Sequence, residues 1–168
     1  MGQPILREVF VTPDAVTVLP YDPARDRVLL VEQFRPGPAA RGDPQSWQIE
    51  AVAGMIDPGE TPEETARRET LEEAGLALGA LHRVAGYYPS PGAHTEYVTS
   101  YIGIADLPDG VAGLGGLPQE HEDIRSHLMS FEALMALIES GEAASGPLIV
   151  SALWLAQARP RLRAAATR

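Results

Sequence analysis

The sequence predicts an α/β or α+β sandwich. Three observations lead there. Short apolar runs such as RVLLVEQF, bounded by turn-forming clusters, recur through the first two thirds of the chain and read as strands. One well-capped helix, at 62–74, lies in the middle of those strands. Two further helices, at 131–140 and 147–159, follow the last strand. Strands around a central helix, with helices at the end, pack in layers about one core.

The elements can be justified in order. Val9 to Leu19 reads as extended, with a break at Thr12-Pro13-Asp14, and residues 1–14 make at most a short strand segment. Tyr21-Asp22-Pro23-Ala24-Arg25-Asp26 is a turn, so the strands before and after it form a hairpin. Pro36 to Gln45 is a Pro/Gly-rich loop, and Trp47 to Ala53 is the next strand. Thr61 caps the central helix, Pro62 takes its first position, and Glu64 completes a capping box. Gly75 ends it as a left-handed cap. Leu81 to Tyr88 and Tyr97 to Ala105 are strands separated by the loop Pro89 to His94. Asp106 to Gln119 is Gly/Pro-rich and expected to be mobile; Ile124 to Met129 is the last strand. Ser130 caps and Gly141 stops the helix at 131–140, and Pro160 is expected to end the final helix.

The 168 residues are read as a single domain, long enough to bury about 70% of the unfolded surface. With no cysteine, disulfides, thiolate metal sites and cysteine catalysis are excluded. All 13 basic residues are Arg, so Walker-type phosphate binding, which needs a lysine, is excluded too. A net charge of −10 argues against a nucleic-acid binder, and no apolar run is long enough to span a membrane. A cytoplasmic protein without nucleic-acid or membrane partners is the expectation. An anionic ligand would need local help from metal ions or from placed arginines, whose planar fork matches phosphate oxygens.

The chemistry concentrates between Gly54 and Leu76. Glu69 and Glu73 are one turn apart and share a helical stripe, with Glu72 beside it and Glu60 in the Gly-rich turn before. Carboxylates this close repel unless cations share them, and hard oxygen ligands suit Mg²⁺ or Mn²⁺. The bland alternative is a solvated acidic helix with i,i+4 pairs Glu63–Arg67 and Glu64–Arg68.

The segment resembles the Nudix box: Gly, five residues, Glu, seven residues, Arg-Glu, an apolar residue, any residue, Glu-Glu, any residue, Gly, an apolar residue. Gly54, Glu60, Arg68, Glu69, Glu72, Glu73 and Gly75 stand at its fixed positions, and Leu76 takes the last apolar place. Thr70, where an aliphatic residue is usual, is the one departure. Ser90-Pro91-Gly92, Glu96, the strand end Val31-Glu32-Gln33-Phe34-Arg35, the Tyr21-Asp22-Pro23 turn and the stretches 47–53 and 148–157 are similar to the family's ADP-ribose pyrophosphatase subgroup.

The resemblance implies a Nudix α/β/α sandwich with a mixed central sheet. It implies Mg²⁺-dependent hydrolysis of ADP-ribose to AMP and ribose 5-phosphate, with two or three ions and Mn²⁺ able to substitute. Glu69, Glu72, Glu73, Glu122 and the carbonyl of Ala53 are the implied metal ligands. Arg68 and Glu73 belong to the implied catalytic set with Glu120, the implied base. Arg35, Glu50, Pro91 and Gly92 are the implied substrate contacts, with Arg35 on a phosphate. Tyr87 or Tyr88 is a candidate for the adenine. His82 and His127 read as strand residues, and His94 and His121 as loop residues near substrate. A homodimer is expected, although subgroup members often begin with strands that swap between subunits and such an extension is short or missing here. The alternatives are a nucleoside-diphosphate-sugar hydrolase, for example of GDP-mannose, and a non-catalytic nucleotide-sensing module. A hydrolase of oxidised nucleoside triphosphates fits Ser90-Pro91-Gly92 less well.

Overall fold

A computed structural model describes residues 3–116 and 123–166. Its strands are β1 (Ala15–Asp22), β2 (Arg27–Phe34), β3 (Trp47–Glu50), β4 (Val52–Met55), β5 (Leu81–Tyr87), β6 (Val98–Ile104), β7 (Leu114–Gly115) and β8 (Ile124–Ser130). Its helices are α1 (Pro36–Ala40), α2 (Pro62–Ala74), α3 (Phe131–Ser140) and α4 (Gly146–Ala166).

The strands form one mixed sheet in the order β5-β6-β1-β2-β8-β7, with β3 added to β2 and β4 to β1. Among the described strands only β1 and β6 pair in parallel, in register from Ala15 opposite Val98 to Tyr21 opposite Ile104. Alternation along β1 divides the core. Val16 and Val18 pack with Ala66 of α2, and Leu19 and Tyr21 pack with Leu134 of α3 and Leu148, Ala152 and Leu155 of α4. The sheet is therefore covered on both faces, which is the expected three-layer sandwich.

The capping box of α2 forms as expected: Glu64 N donates to Thr61 Oγ1 at 3.3 Å, and Thr61 N donates to Glu64 Oε2 at 2.8 Å. Gly75 takes the left-handed conformation, φ 65°. The hairpin also forms, closed by Asp22, whose Oδ1 accepts from the N–H groups of Ala24 and Arg25.

The structure departs from the sequence reading in five places. The loop after β2 contains α1, begun by Pro36 at a position where a missing N–H is harmless. The strand expected at 47–53 is two strands, because the chain crosses at Ala51 from pairing with β2 to pairing with β1. Regular structure begins at Ala15; ahead of it, Phe10 makes a single bridge to His94. The Gly-rich stretch expected to be mobile contains β7, and Gly113 exchanges hydrogen bonds with Ser126 of β8.

Finally, α4 runs through Pro160 to Ala166. Tertiary anchors hold it across the proline: Leu162 is buried, the Arg159 guanidinium lies 4.7 Å from the centre of the Phe131 ring, and both Arg159 and Arg163 pair with Asp26. Those contacts outweigh the one hydrogen bond a proline removes. No helix among the described residues is long and apolar enough to cross a membrane.

Candidate active site

Arg68 is the hub of the box. Its Nε and one terminal nitrogen each donate to a Glu60 oxygen at 3.0 Å, and the other terminal nitrogen donates to Glu69 at 2.7 Å and Glu72 at 3.0 Å. Asp57 lies 3.8 Å away. Glu60 is tied down further by the Thr65 hydroxyl at 2.8 Å. The Arg68 hydrogen bonds, with a smaller contribution from Thr65, hold the Glu60 carboxyl down at about 2. The same pairing raises the Arg68 pKa. Arg67 turns instead to the carbonyls of Leu78 and Gly79, Glu63 accepts from the Tyr101 hydroxyl, and Glu64 serves the cap. The i,i+4 pairs of a solvated acidic helix, Glu63–Arg67 and Glu64–Arg68, are not formed.

Glycines set how closely the carboxylates approach the sheet. A Cβ on Gly54 would stand 1.9 Å from the Glu69 carboxyl, so only glycine leaves room for it. Glu73 is 2% exposed, and its Oε2 lies 3.4 Å from the Ala53 N–H on β4. At the other end of the helix, a Cβ on Gly115 would stand 1.9 Å from the Glu73 carbonyl oxygen, and Gly116 N donates to the Glu72 carbonyl at 3.4 Å. Strand β7 thus covers carbonyls that a helix C-terminus leaves without internal partners.

These residues line one end of a cleft. A cavity of about 580 Å³ is lined by Arg68, Glu69 and Glu73 together with Gln33 and Arg35. A second cavity, of about 560 Å³, adds Phe10, Thr17, Glu50, His94 and Pro147. Thr12, Ala15, Arg35, Ala53 and Glu96 line both, so the two form a continuous cleft. Arg35 stands at the junction, its Nε donating to Glu50 Oε2 at 2.7 Å.

The structure therefore brings together Arg35, Glu50, Ala53, Arg68, Glu69, Glu72 and Glu73. Pro91 and Gly92 lie in the turn between β5 and β6; its neighbours Pro89 and His94 line the cleft, and they themselves do not. Tyr87 donates to or accepts from Ser100 at 3.0 Å, Tyr88 packs edge-on against Tyr97, and neither tyrosine lines the cleft. His82 and His127 are on β5 and β8, as read. Glu120, His121 and Glu122 lie outside the described residues. Sequence reasoning missed Phe10, Thr12, Thr17 and Pro147 as lining residues. No local pattern marks them, because they meet only through the β1–β6 pairing and the start of α4.

The donor chemistry fits a hard divalent cation. Every implied ligand is an oxygen, three carboxylates come from one helix, and one guanidinium faces four carboxylates, leaving an excess of negative charge. Among the described residues, no three acidic or imidazole groups are already gathered at ligand distances. Arg68 engages oxygens of Glu69 and Glu72.

Comparison with known proteins places the chain in a family. The NUDIX domain profile matches residues 11–150. The ADP-ribose pyrophosphatase of Escherichia coli (strain K12) is 37% identical over 155 residues, covering 92% of this chain and 73% of that protein. The ADP-ribose pyrophosphatase of Haemophilus influenzae is 34% identical over 153 residues, 90% of this chain and 70% of that protein. The GDP-mannose pyrophosphatase of Enterobacter sp. (strain 638) is 34% identical over 144 residues, 86% of this chain and 74% of that protein. A crystal structure of an ADP compounds hydrolase shares the fold, with a TM-score of 0.71 over 89% of this chain and 75% of that chain at 20% identity. The chain belongs to the NUDIX domain family: it is a Nudix pyrophosphatase, similar to the ADP-ribose pyrophosphatases.

Proposed function

We propose that this enzyme hydrolyses the diphosphate of ADP-ribose to AMP and ribose 5-phosphate. The observation that carries the reading is the two-part cleft. A diphosphate flanked by two sugars needs room on both sides of its phosphates, and the box cavity continues past Arg35 into a second cavity of similar size. A site for a terminal phosphate would need room on one side only.

In this reading Glu69, Glu72, Glu73, Glu122 and the Ala53 carbonyl hold two or three Mg²⁺ ions, with Mn²⁺ able to substitute. When bound, the ions neutralise the diphosphate and lower the pKa of a coordinated water. Arg35 braces a phosphate with its planar fork, held at the required angle by Glu50. Arg68 orients Glu60, Glu69 and Glu72. Glu120 accepts the proton of the attacking water; a bond from that water's oxygen to phosphorus forms as the bond to the bridging oxygen breaks. Glu50, Pro91 and Gly92 complete the substrate contacts.

A homodimer is part of the proposal. Ile5, Leu6, Phe10 and Val11 are all more than two-thirds exposed, an apolar arm that a second copy would cover. Sedimentation of the wild type as a monomer would remove this part.

A metal-dependent hydrolysis screen over ADP-ribose, NADH, diadenosine polyphosphates, GDP-mannose and UDP-glucose tests the function. The expected result is AMP from ADP-ribose at the highest kcat/KM. GMP from GDP-mannose would favour the second reading, which the 34% identical GDP-mannose pyrophosphatase supports. Binding without phosphate release would point to a sensing module.

A further inference from the structure

Among the described residues, three buried side-chain polar atoms have no hydrogen-bond partner: Thr12 Oγ1, Gln33 Nε2 and Ser151 Oγ. Ser151 lies within α4. The other two line the cleft, Gln33 in the box cavity and Thr12 in both cavities. A buried donor without an acceptor costs its full desolvation, and the great majority of native polar groups avoid that state. Nothing about the strand requires an amide at this position, where an aliphatic side chain would suit β2 better. The cross-strand neighbour Gln48 does not satisfy it: the Gln48 amide nitrogen donates to the Gln45 carbonyl, and Gln33 Nε2 finds no acceptor there or elsewhere among the described residues.

We propose that the Gln33 carboxamide is a substrate-binding group that donates to an oxygen of the diphosphate. The assignment rests on the diphosphate reading given above and adds to the box and Arg35 a contact that neither supplies. Gln33 is two residues before Arg35, so both emerge on one side of the strand and both line the box cavity. Glu69 and Glu73 line the same cavity, so a phosphate bound there shares its space with Gln33 as well as Arg35. An amide nitrogen is a donor with two N–H groups, and phosphoryl oxygens are acceptors. The nitrogen is sealed from water. Its terminal torsion is soft, and rotation turns the amide toward the cleft once a ligand supplies an acceptor.

The test compares Gln33→Leu with wild type, using a nonhydrolysable methylene analogue of ADP-ribose with Mg²⁺, thermal unfolding and steady-state kinetics. Gln33→Leu removes the unpartnered amide, so its unfolding temperature holds or rises. Its affinity for the analogue falls about 10- to 100-fold, the worth of a hydrogen bond to a charged group, and KM rises more than kcat falls. Gln33→Glu keeps the shape but replaces donors with a charge, and weakens binding further than Leu. Ser151→Ala relieves the same kind of defect away from the cleft and leaves affinity unchanged. Undiminished affinity in both Gln33 variants overturns the role, as does a lower unfolding temperature of Gln33→Leu with unchanged binding. If the wild type binds no diphosphate at all, the functional reading falls and this role with it. If the wild type binds and the variants bind equally, only the role of Gln33 falls.

Discussion

The half of the cleft built on α2 is held by ion pairs among residues 57–72, whereas the half beyond Arg35 is gathered from Phe10, Thr17, Glu50, His94 and Pro147. In the first half, one arginine organises four carboxylates over short sequence distances, and a capping box and a left-handed glycine define the helix that carries two of them, Glu69 and Glu72. In the second half, Arg35 pairs with Glu50, and the walls are otherwise Glu96 and small, apolar or aromatic side chains from distant segments. The reaction chemistry is thus encoded locally and the recognition surface is assembled by the fold.

The largest expected effect is on the carboxylates of the first half. Glu73→Gln should lower kcat beyond the roughly 10- to 100-fold typical of outer-shell metal partners, with the fold retained by circular dichroism. Full activity in Mg²⁺ would show that Glu73 is not part of the reacting site. Arg68→Lys keeps the charge but loses the fork that reaches Glu60, Glu69 and Glu72 together. Activity is expected to drop by about 10- to 100-fold, measured as kcat/KM across a Mg²⁺ titration. Equal half-saturating Mg²⁺ in the two proteins would deny Arg68 its orienting role.

A smaller effect separates β7 from the box it touches. Gly115→Ala forces a methyl group against the Glu73 carbonyl, and displacement of that turn should cost about tenfold in kcat. Gly113→Ala, which meets no atom within 4 Å, is the matched control and should be silent. Similar kinetics for the two variants would mean that α2 keeps its place without β7.

The smallest effect is acid sensitivity. Pairing with Arg68 lowers the Glu60 pKa from 4.5 to about 2 in the folded chain. Its contribution is fully present above pH 4.5 and is lost as pH falls from 4.5 through about 2. Glu60→Gln, which cannot titrate, should therefore be less stable than wild type above that window and converge on it below. Melting curves whose separation is constant with pH would contradict the pairing.

Much of the first half was legible before any coordinates. Thr61, Glu64 and Gly75 marked the helix, and the box spacing put Glu69, Glu72 and Glu73 on it with Arg68. Each of these is a relation between residues within a few turns of one another, where backbone geometry leaves little choice. The glycine contacts of α2 were only half legible: Gly54 belongs to the box, but nothing near Gly115 signals that it meets Glu73. The change of strand partner at Ala51 and the passage of α4 through Pro160 were not legible either. Both are decided by distant residues, β1 in the first case and Asp26 with Phe131 in the second.

By itself, then, the sequence determined the sandwich class, the carboxylate helix with its caps, and the exclusion of thiol and lysine chemistry. Only the tertiary structure decided which side chains meet Arg35 in the cleft, how β7 presses on the carboxylate helix, and where the amide of Gln33 is left without a partner. The physical reason is range. Caps and helical stripes follow from torsions and hydrogen bonds over a few residues, whereas cavity walls follow from strand register and layer packing between segments more than a hundred residues apart.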